Sequence, residues 1–225
     1  MKVYVGTSGW YYDWNKDSTL HWYVEKSGLN AIELNTSFYK FPFPNQIKAW
    51  SINGSKLSWV IKVHRSITHM HKLNVKCYPI FKKFTKTFEP LEDRIAFYLL
   101  QLPPNFSTNS ITTLKRFIRQ FRDYRFAIEF RHKTWYGFDF DSLDFKGVIV
   151  SPDSPEINRR IFDKNGTIYI RFHGRGSIWY SYKYSDKELD EIISLVKMHK
   201  PKEVLAFFNN DHNMLKNARY FISAI

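Results

Sequence analysis

The chain has 225 residues, 44% of them hydrophobic and 18% aromatic, which is ample material for a packed core and excludes an intrinsically disordered protein. Its 34 Lys and Arg against 21 Asp and Glu give a formal net charge of +13, a balance that favours anionic partners, a phosphorylated small molecule or nucleic acid, and that a well-solvated basic surface also explains. Cys77 is the one cysteine, which excludes internal disulfides and cysteine-based metal clusters; with no signal-peptide core and no apolar run long enough for a bilayer, it predicts a cytoplasmic protein without a membrane partner.

Strand-like runs alternate with helical ones along the chain, the pattern of parallel βαβ units. Strands are predicted over 2–7, 30–35, 57–64, 95–102, 125–131, 146–151, 167–173 and 203–209. Eight strands with helices between them suit a closed TIM-type (β/α)8 barrel, here one domain over 1–225, better than a doubly wound open sheet. After the first strand comes Trp10-Tyr11-Tyr12-Asp13-Trp14, readable as a lid over the core or as a stacking platform at the barrel mouth. Leu114, Phe117, Ile118 and Phe121 repeat at helical spacing, and Lys115, Arg116, Arg119 and Arg122 give that helix an outer basic face with no assigned function. The connections after strands five and six are short and rich in Gly, Asp and Pro, so full helices are not expected there. Ser185 and Glu188 form a capping-box pattern before Leu189, Ile192, Ile193 and Val196, and Pro201 follows the end of that helix.

The chemistry-bearing residues sit at the predicted C-terminal ends of strands. Glu33/Asn35, Glu129/Arg131 and Arg171/His173 are polar pairs two residues apart, and Lys62, Gln101 and Asn209 are single polar residues in the same position of other strands. Side chains two apart share a face of a strand, so Ile32/Leu34, Ile128/Phe130 and Ile170/Phe172 fall on the opposite one. In a barrel the polar set would converge at the mouth, where active sites form. Glu33 and Glu129 are the candidate general acid or base, on the expectation that a carboxyl in a partly dry mouth has its pKa raised toward neutrality. Glu129 beside Arg131 is equally readable as an ionised partner of that arginine. Lys62, Arg131 and Arg171 would offer fixed positive charge to a carboxylate or phosphate. Gly174-Arg175-Gly176-Ser177 after the seventh strand, with the last helix starting just after Asn209-Asn210-Asp211, is placed where barrels often bind phosphate. His64, His69, His71, His132, His173 and Asp211 are available as ligands, but no His-Glu-x-x-His, Walker A or dinucleotide fingerprint is present. No metal is expected, and the sequence leaves any cofactor open.

The same segments carry a resemblance. Gly6-Thr7-Ser8-Gly9-Trp10-Tyr11, Glu33-Leu34-Asn35-Thr36-Ser37-Phe38-Tyr39, Lys62 with Ile67-Thr68-His69, Gln101-Leu102-Pro103-Pro104, Glu129-Phe130-Arg131-His132 with Trp135, Arg171-Phe172-His173-Gly174 and Phe208-Asn209-Asn210 with Asn217-Ala218 resemble, in family order, the domain-of-unknown-function family 72, the YecE-like proteins. The resemblance is nearly full-length. It implies a TIM-type barrel and a pocket that includes Trp10, Asn35, Tyr39, His69, His132 and Asn210 beside the residues above, without assigning a reaction. The chain departs from the family pattern in a shortened region from Gly137 to Pro155 and in lacking a full Trp-Gly-Phe-Tyr-Pro-type stretch after the first strand.

The reading that emerges is an enzyme binding an anionic, phosphate-containing substrate, with acid-base chemistry from Glu33 or Glu129 assisted by His173 or Lys62. A nucleic-acid-binding or phosphodiester-cleaving protein, and a non-catalytic ligand-binding protein, are the alternatives. Nothing in the sequence specifies the oligomeric state.

Overall fold

Alternation of apolar and polar residues along the strands closes them into a parallel barrel in the computed structural model, which describes residues 1–225 apart from Asn158 and Trp179. The strands are β1 (Lys2–Thr7), β2 (Ala31–Leu34), β3 (Ser58–Lys62), β4 (Ile95–Gln101), β5 (Phe126–Glu129), β6 (Gly147–Asp153), β7 (Asp163–Lys164), β8 (Thr167–Phe172) and β9 (Glu203–Phe208). The α-helices are α1 (Leu20–Lys26), α2 (Pro44–Asn53), α3 (Tyr78–Thr87), α4 (Ile111–Gln120), α5 (Asp186–Met198) and α6 (Met214–Ala224). Strand order is β6-β5-β4-β3-β2-β1-β9-β8, and a further parallel pairing of β6 with β8 closes the ring. The fold is therefore a TIM-type barrel of eight parallel strands, with β7 attached outside it.

The short β7 was not expected. It pairs antiparallel with the start of β8 through Asn165 and Gly166, both at positive φ (58° and 81°), which is the backbone a two-residue hairpin requires and an Asn-Gly pair supplies. β6 also runs two residues past its predicted end, because Pro152 lies at the end of the strand rather than beyond it. At the seam between β1 and β2 the ladder is short, with Gly6 opposite Ala31 and Thr7 opposite Ile32. Asn30 extends it with its side chain, accepting from Val5 N at 2.8 Å and donating to Val3 O at 2.8 Å.

One buried cluster fills the barrel interior, with Ala31, Val60, Leu99, Ala127, Val150 and Leu205 among its members, and the rings of Phe97, Tyr169 and Phe207 meet across it. A second cluster lies between the barrel wall and the helices, where Ile32, Ile61, Ile128 and Ile170 meet Leu114 and Phe117 of α4 and Leu189, Ile192 and Val196 of α5. The two clusters are the two strand faces read from the period-two pattern. Helix α5 opens with the expected capping box: Ser185 accepts from Glu188 N while the Glu188 carboxylate accepts from Ser185 N. No α-helix forms among the described residues after β5 or β6. Stacked aromatics cover that arc instead, with Phe130 at 4.2 Å from Trp135 and 5.2 Å from Phe140, which meets Phe162 at 5.2 Å. Among the described residues no helix is long and apolar enough to cross a membrane.

Candidate functional site

The polar residues meet at the C-terminal end of the barrel around Arg171, which is fully buried on β8. Its Nε and Nη2 donate to Glu33 Oε2 and Oε1 at 3.0 and 2.6 Å, and its Nη1 donates to Glu129 Oε2 at 2.5 Å. Tyr169, two residues earlier on the same face, donates its hydroxyl to Glu33 Oε2 at 2.7 Å. Glu129 Oε1 accepts from Gln101 Nε2 at 2.8 Å and from Arg131 Nε at 2.9 Å. One guanidinium thus ties β2 to β5 through β8, satisfying the requirement that a buried charge be paired and hydrogen-bonded.

His173 continues the interior face just past β8. Asn209 Nδ2 lies 3.2 Å from its Nδ1, which makes Nδ1 the acceptor and puts the ring proton on Nε2, 3.7 Å from Glu129 Oε2. Ser8 in turn donates to Asn209 Oδ1 at 2.5 Å, so a chain of polar contacts runs from the loop after β1 to the centre. Lys62 is different. The residue is only 8% exposed, its Nζ sits 4.4 Å from the centre of the Phe38 ring, and among the described residues no carboxylate is within ion-pairing distance of it. His69 packs edge-on against the same ring at 4.9 Å and hydrogen-bonds Thr68 Oγ1 at 2.9 Å.

The environments separate the titratable groups. At Glu129 burial works against ionisation, but Arg171, Arg131 and His173 together outweigh it and hold the carboxyl well below the ordinary value. The expectation of a carboxyl raised toward neutrality fails there, because Arg171 of β8 adds its charge to that of Arg131 close by in the sequence. Burial, reinforced by the nearby Arg171, lowers the Lys62 ammonium to about 7, against the weaker pull of Glu33 and Glu129. Burial and neighbouring cations likewise lower His173 and His69 to about 4, so both rings are neutral at pH 7.

Several expected pocket residues do other work. Arg171 is fully buried and turned to carboxylates, its Nε, Nη1 and Nη2 each donating to Glu33 or Glu129. His132 accepts from Thr134 N and shapes its own turn. Asn210 donates to Tyr182 O and Asn217 Oδ1, both at 2.8 Å, as an internal brace. Arg175, expected to face a phosphate, donates to Asp153 at 2.7 Å. Trp10 packs edge-on against Trp50 and Trp59, the lid reading of the aromatic stretch. With Tyr12, Asn35, Tyr39 and Trp50 it lines a groove of about 540 Å3 between the loops after β1 and β2. Among the described residues Asn35 Oδ1 is buried there without a hydrogen-bond partner, and Tyr39 is 66% exposed at the rim.

Tyr169 and Asp153 are buried polar groups that sequence reading missed. Tyr169 was not among the candidates, although its spacing from Arg171 places it on the polar face. Asp153 lay beyond the predicted end of β6; it collects Arg159, Arg175 and the Tyr184 hydroxyl at 3.0, 2.7 and 2.6 Å. Among the described residues no group of three or more His, Cys, Asp or Glu side chains is placed to hold a metal ion.

A family model described as protein of unknown function DUF72 matches residues 4–225. The chain belongs to the DUF72 family. A DUF72 family protein from Enterococcus faecalis V583 superposes with a TM-score of 0.82 at 22% identity, covering 99% of this chain and 94% of that one. Another DUF72 family protein, from Thermotoga maritima MSB8, gives a TM-score of 0.78 at 26% identity over 99% and 98% of the two chains. Outside DUF72, a xylose isomerase domain containing protein from Salmonella typhimurium LT2 shares the fold alone, with a TM-score of 0.58 at 9% identity over 90% and 89%. No curated protein matches the chain closely enough to lend it a function.

Proposed function

We propose that the barrel mouth is an active site for a small anionic substrate, with Lys62 as the proton-transfer group and Glu33 and Glu129 as the ion-paired frame around it. The observation that carries this reading is the placement of Lys62: a nearly buried amine over an aromatic ring, with no carboxylate in ion-pairing distance among the described residues. Burying an ammonium this way costs several kcal/mol that a methionine of similar length would not, so a stability role does not account for it. An amine close to half-protonated at neutral pH can both take and return a proton. Arg131 adds positive charge at the same opening, and the neutral rings of His69 and His173 add none.

The test is Lys62→Met. The folded value of about 7 lies below the ordinary 10.5, so the unfolded chain binds more protons between those limits and wild-type stability rises with pH across them. The variant is expected to raise the unfolding free energy read from urea melts by an amount on the order of 3 kcal/mol at pH 7 and below, with the gain fading toward pH 10.5, and to lose turnover of the small carboxylates or phosphate esters that the wild type accepts. A fall in midpoint at pH 7 would make Lys62 a structural residue. Lys62→Arg separates catalysis from binding, since it keeps the charge but cannot give up its proton: retained binding without turnover supports proton transfer, and retained turnover refutes it.

A further inference from the structure

Beside the mouth, the loops after β5 and β6 enclose a cleft of about 530 Å3 lined by Arg131, Lys133, Tyr136, Glu156, Arg159 and Arg160 with Ile157. Four cations face one carboxylate. The acids behind the cleft offset only part of it: Arg131 and Arg171 share Glu33 and Glu129, Arg159 and Arg175 share Asp153 with Glu191 at 3.9 Å from Arg159, and among the described residues Lys133 and Arg160 have no carboxylate within ion-pairing distance. Its arginines are anchored from within: Arg131 by Glu129 at 2.9 Å, Arg159 by Asp153 at 3.0 Å, and Arg160 by a bond to Tyr136 O at 2.7 Å and by the Phe162 ring beneath it at 5.0 Å. Anchored guanidinium groups lose little further freedom when a ligand arrives, which is the arrangement expected of an oxyanion site. Arg131 belongs to both places, with its Nε on the Glu129 of the mouth and its side chain in the wall of the cleft.

We propose that this cleft binds the terminal phosphate of a small phosphate monoester, placing the rest of the molecule over the mouth. The inference rests on the anionic-substrate reading above and names its charged group. It also moves the phosphate away from the loops after the last two barrel strands, where barrels often hold it, since Arg175 is turned to Asp153 and Asn210 to Tyr182 and Asn217. A monoester fits better than a nucleic-acid phosphodiester because cations gathered around one cleft match a dianion, whereas a polyanion carrying one charge per phosphate calls for an extended track.

Lys133 and Arg160 are exposed, so Lys133→Gln/Arg160→Gln removes two cleft charges without opening the core. Titration calorimetry with inorganic phosphate in low-salt buffer should show one site in the wild type and at least tenfold weaker binding in this variant. Lys115→Gln/Arg119→Gln on α4 carries the same change in net charge and should bind phosphate as the wild type does. An absence of phosphate binding in the wild type, or an equal loss in both double variants, overturns the assignment. A short oligonucleotide without terminal phosphates should fail to displace phosphate; displacement as effective as by phenyl phosphate would assign the cleft to phosphodiesters and overturn the monoester. The Lys62→Met melts are independent of all these outcomes, so the two readings fail separately.

Discussion

Arg171 bridges two carboxylates that come from positions 33 and 129, and its removal from solvent makes each member of the trio necessary to the others. Glu129→Gln would leave Arg171 and Arg131 short of one negative charge in a buried setting, and a loss of about 3 kcal/mol is expected. Because the folded pKa of Glu129 is depressed, its contribution is complete above the unfolded carboxyl value and is lost as pH falls through the folded one. The gap between variant and wild type in urea melts should therefore be full at pH 7 and narrow in strong acid; a gap that is absent at pH 7 would refute the counter-ion role. Sequence alone leaves Glu129 open between acid catalyst and ion-pair partner, since Arg131 is its nearest charged neighbour along the strand. The choice is made by Arg171, 42 residues away, and the isolation of Lys62 is equally invisible in sequence because it depends on what tertiary packing leaves out of reach.

At the scale of elements, period-two alternation was enough to find all eight barrel strands and the face each turns inward, because both faces are buried and a register slip would put charge against the helices. Endings were harder to read. The predicted strand 146–151 stopped short of Asp153, and β7 was too short for any periodicity, although the sequence holds Asn165-Gly166 at its turn. The Asn30 bridge between β1 and β2 had no sequence signature, since any Asn before a strand could cap or turn. Asn30→Ala leaves Val5 N and Val3 O without their side-chain partner, and a loss of about 2 kcal/mol is expected, with faster hydrogen exchange at the Val5 amide. Unchanged exchange there would mean that the seam is held without Asn30.

Across the whole molecule the charge of +13 is not one surface. Lys115, Arg119, Arg122 and Lys146 flank a hollow that also contains Asp123 and Asp144, formed by residues that precede β5 and β6 and hence at the far end of the barrel from the mouth. Binding of a random oligonucleotide is accordingly expected to be weak, to fall steeply with salt, and to weaken in Lys115→Gln/Arg119→Gln while Lys62→Met leaves it unchanged. An oligonucleotide affinity that instead tracks Lys62 would join nucleic acid to the mouth and revive the phosphodiester reading. Composition alone suggested anionic partners, and only the placement of the charges on the fold separates a general attraction from a defined pocket.

The amine that rests on Phe38 has one more property. An ordinary lysine at pH 7 is uncharged in roughly one molecule in a few thousand, whereas Lys62, with its value of about 7, is uncharged about half the time. Only the uncharged form attacks an electrophile, so a mild acylating reagent small enough to enter the mouth will mark Lys62 ahead of the lysines on the surface. A compound seated over Phe38 would shield it. The extent of labelling at this one position then becomes a gauge of occupancy, and a library can be screened for occupants of the mouth before any reaction is known.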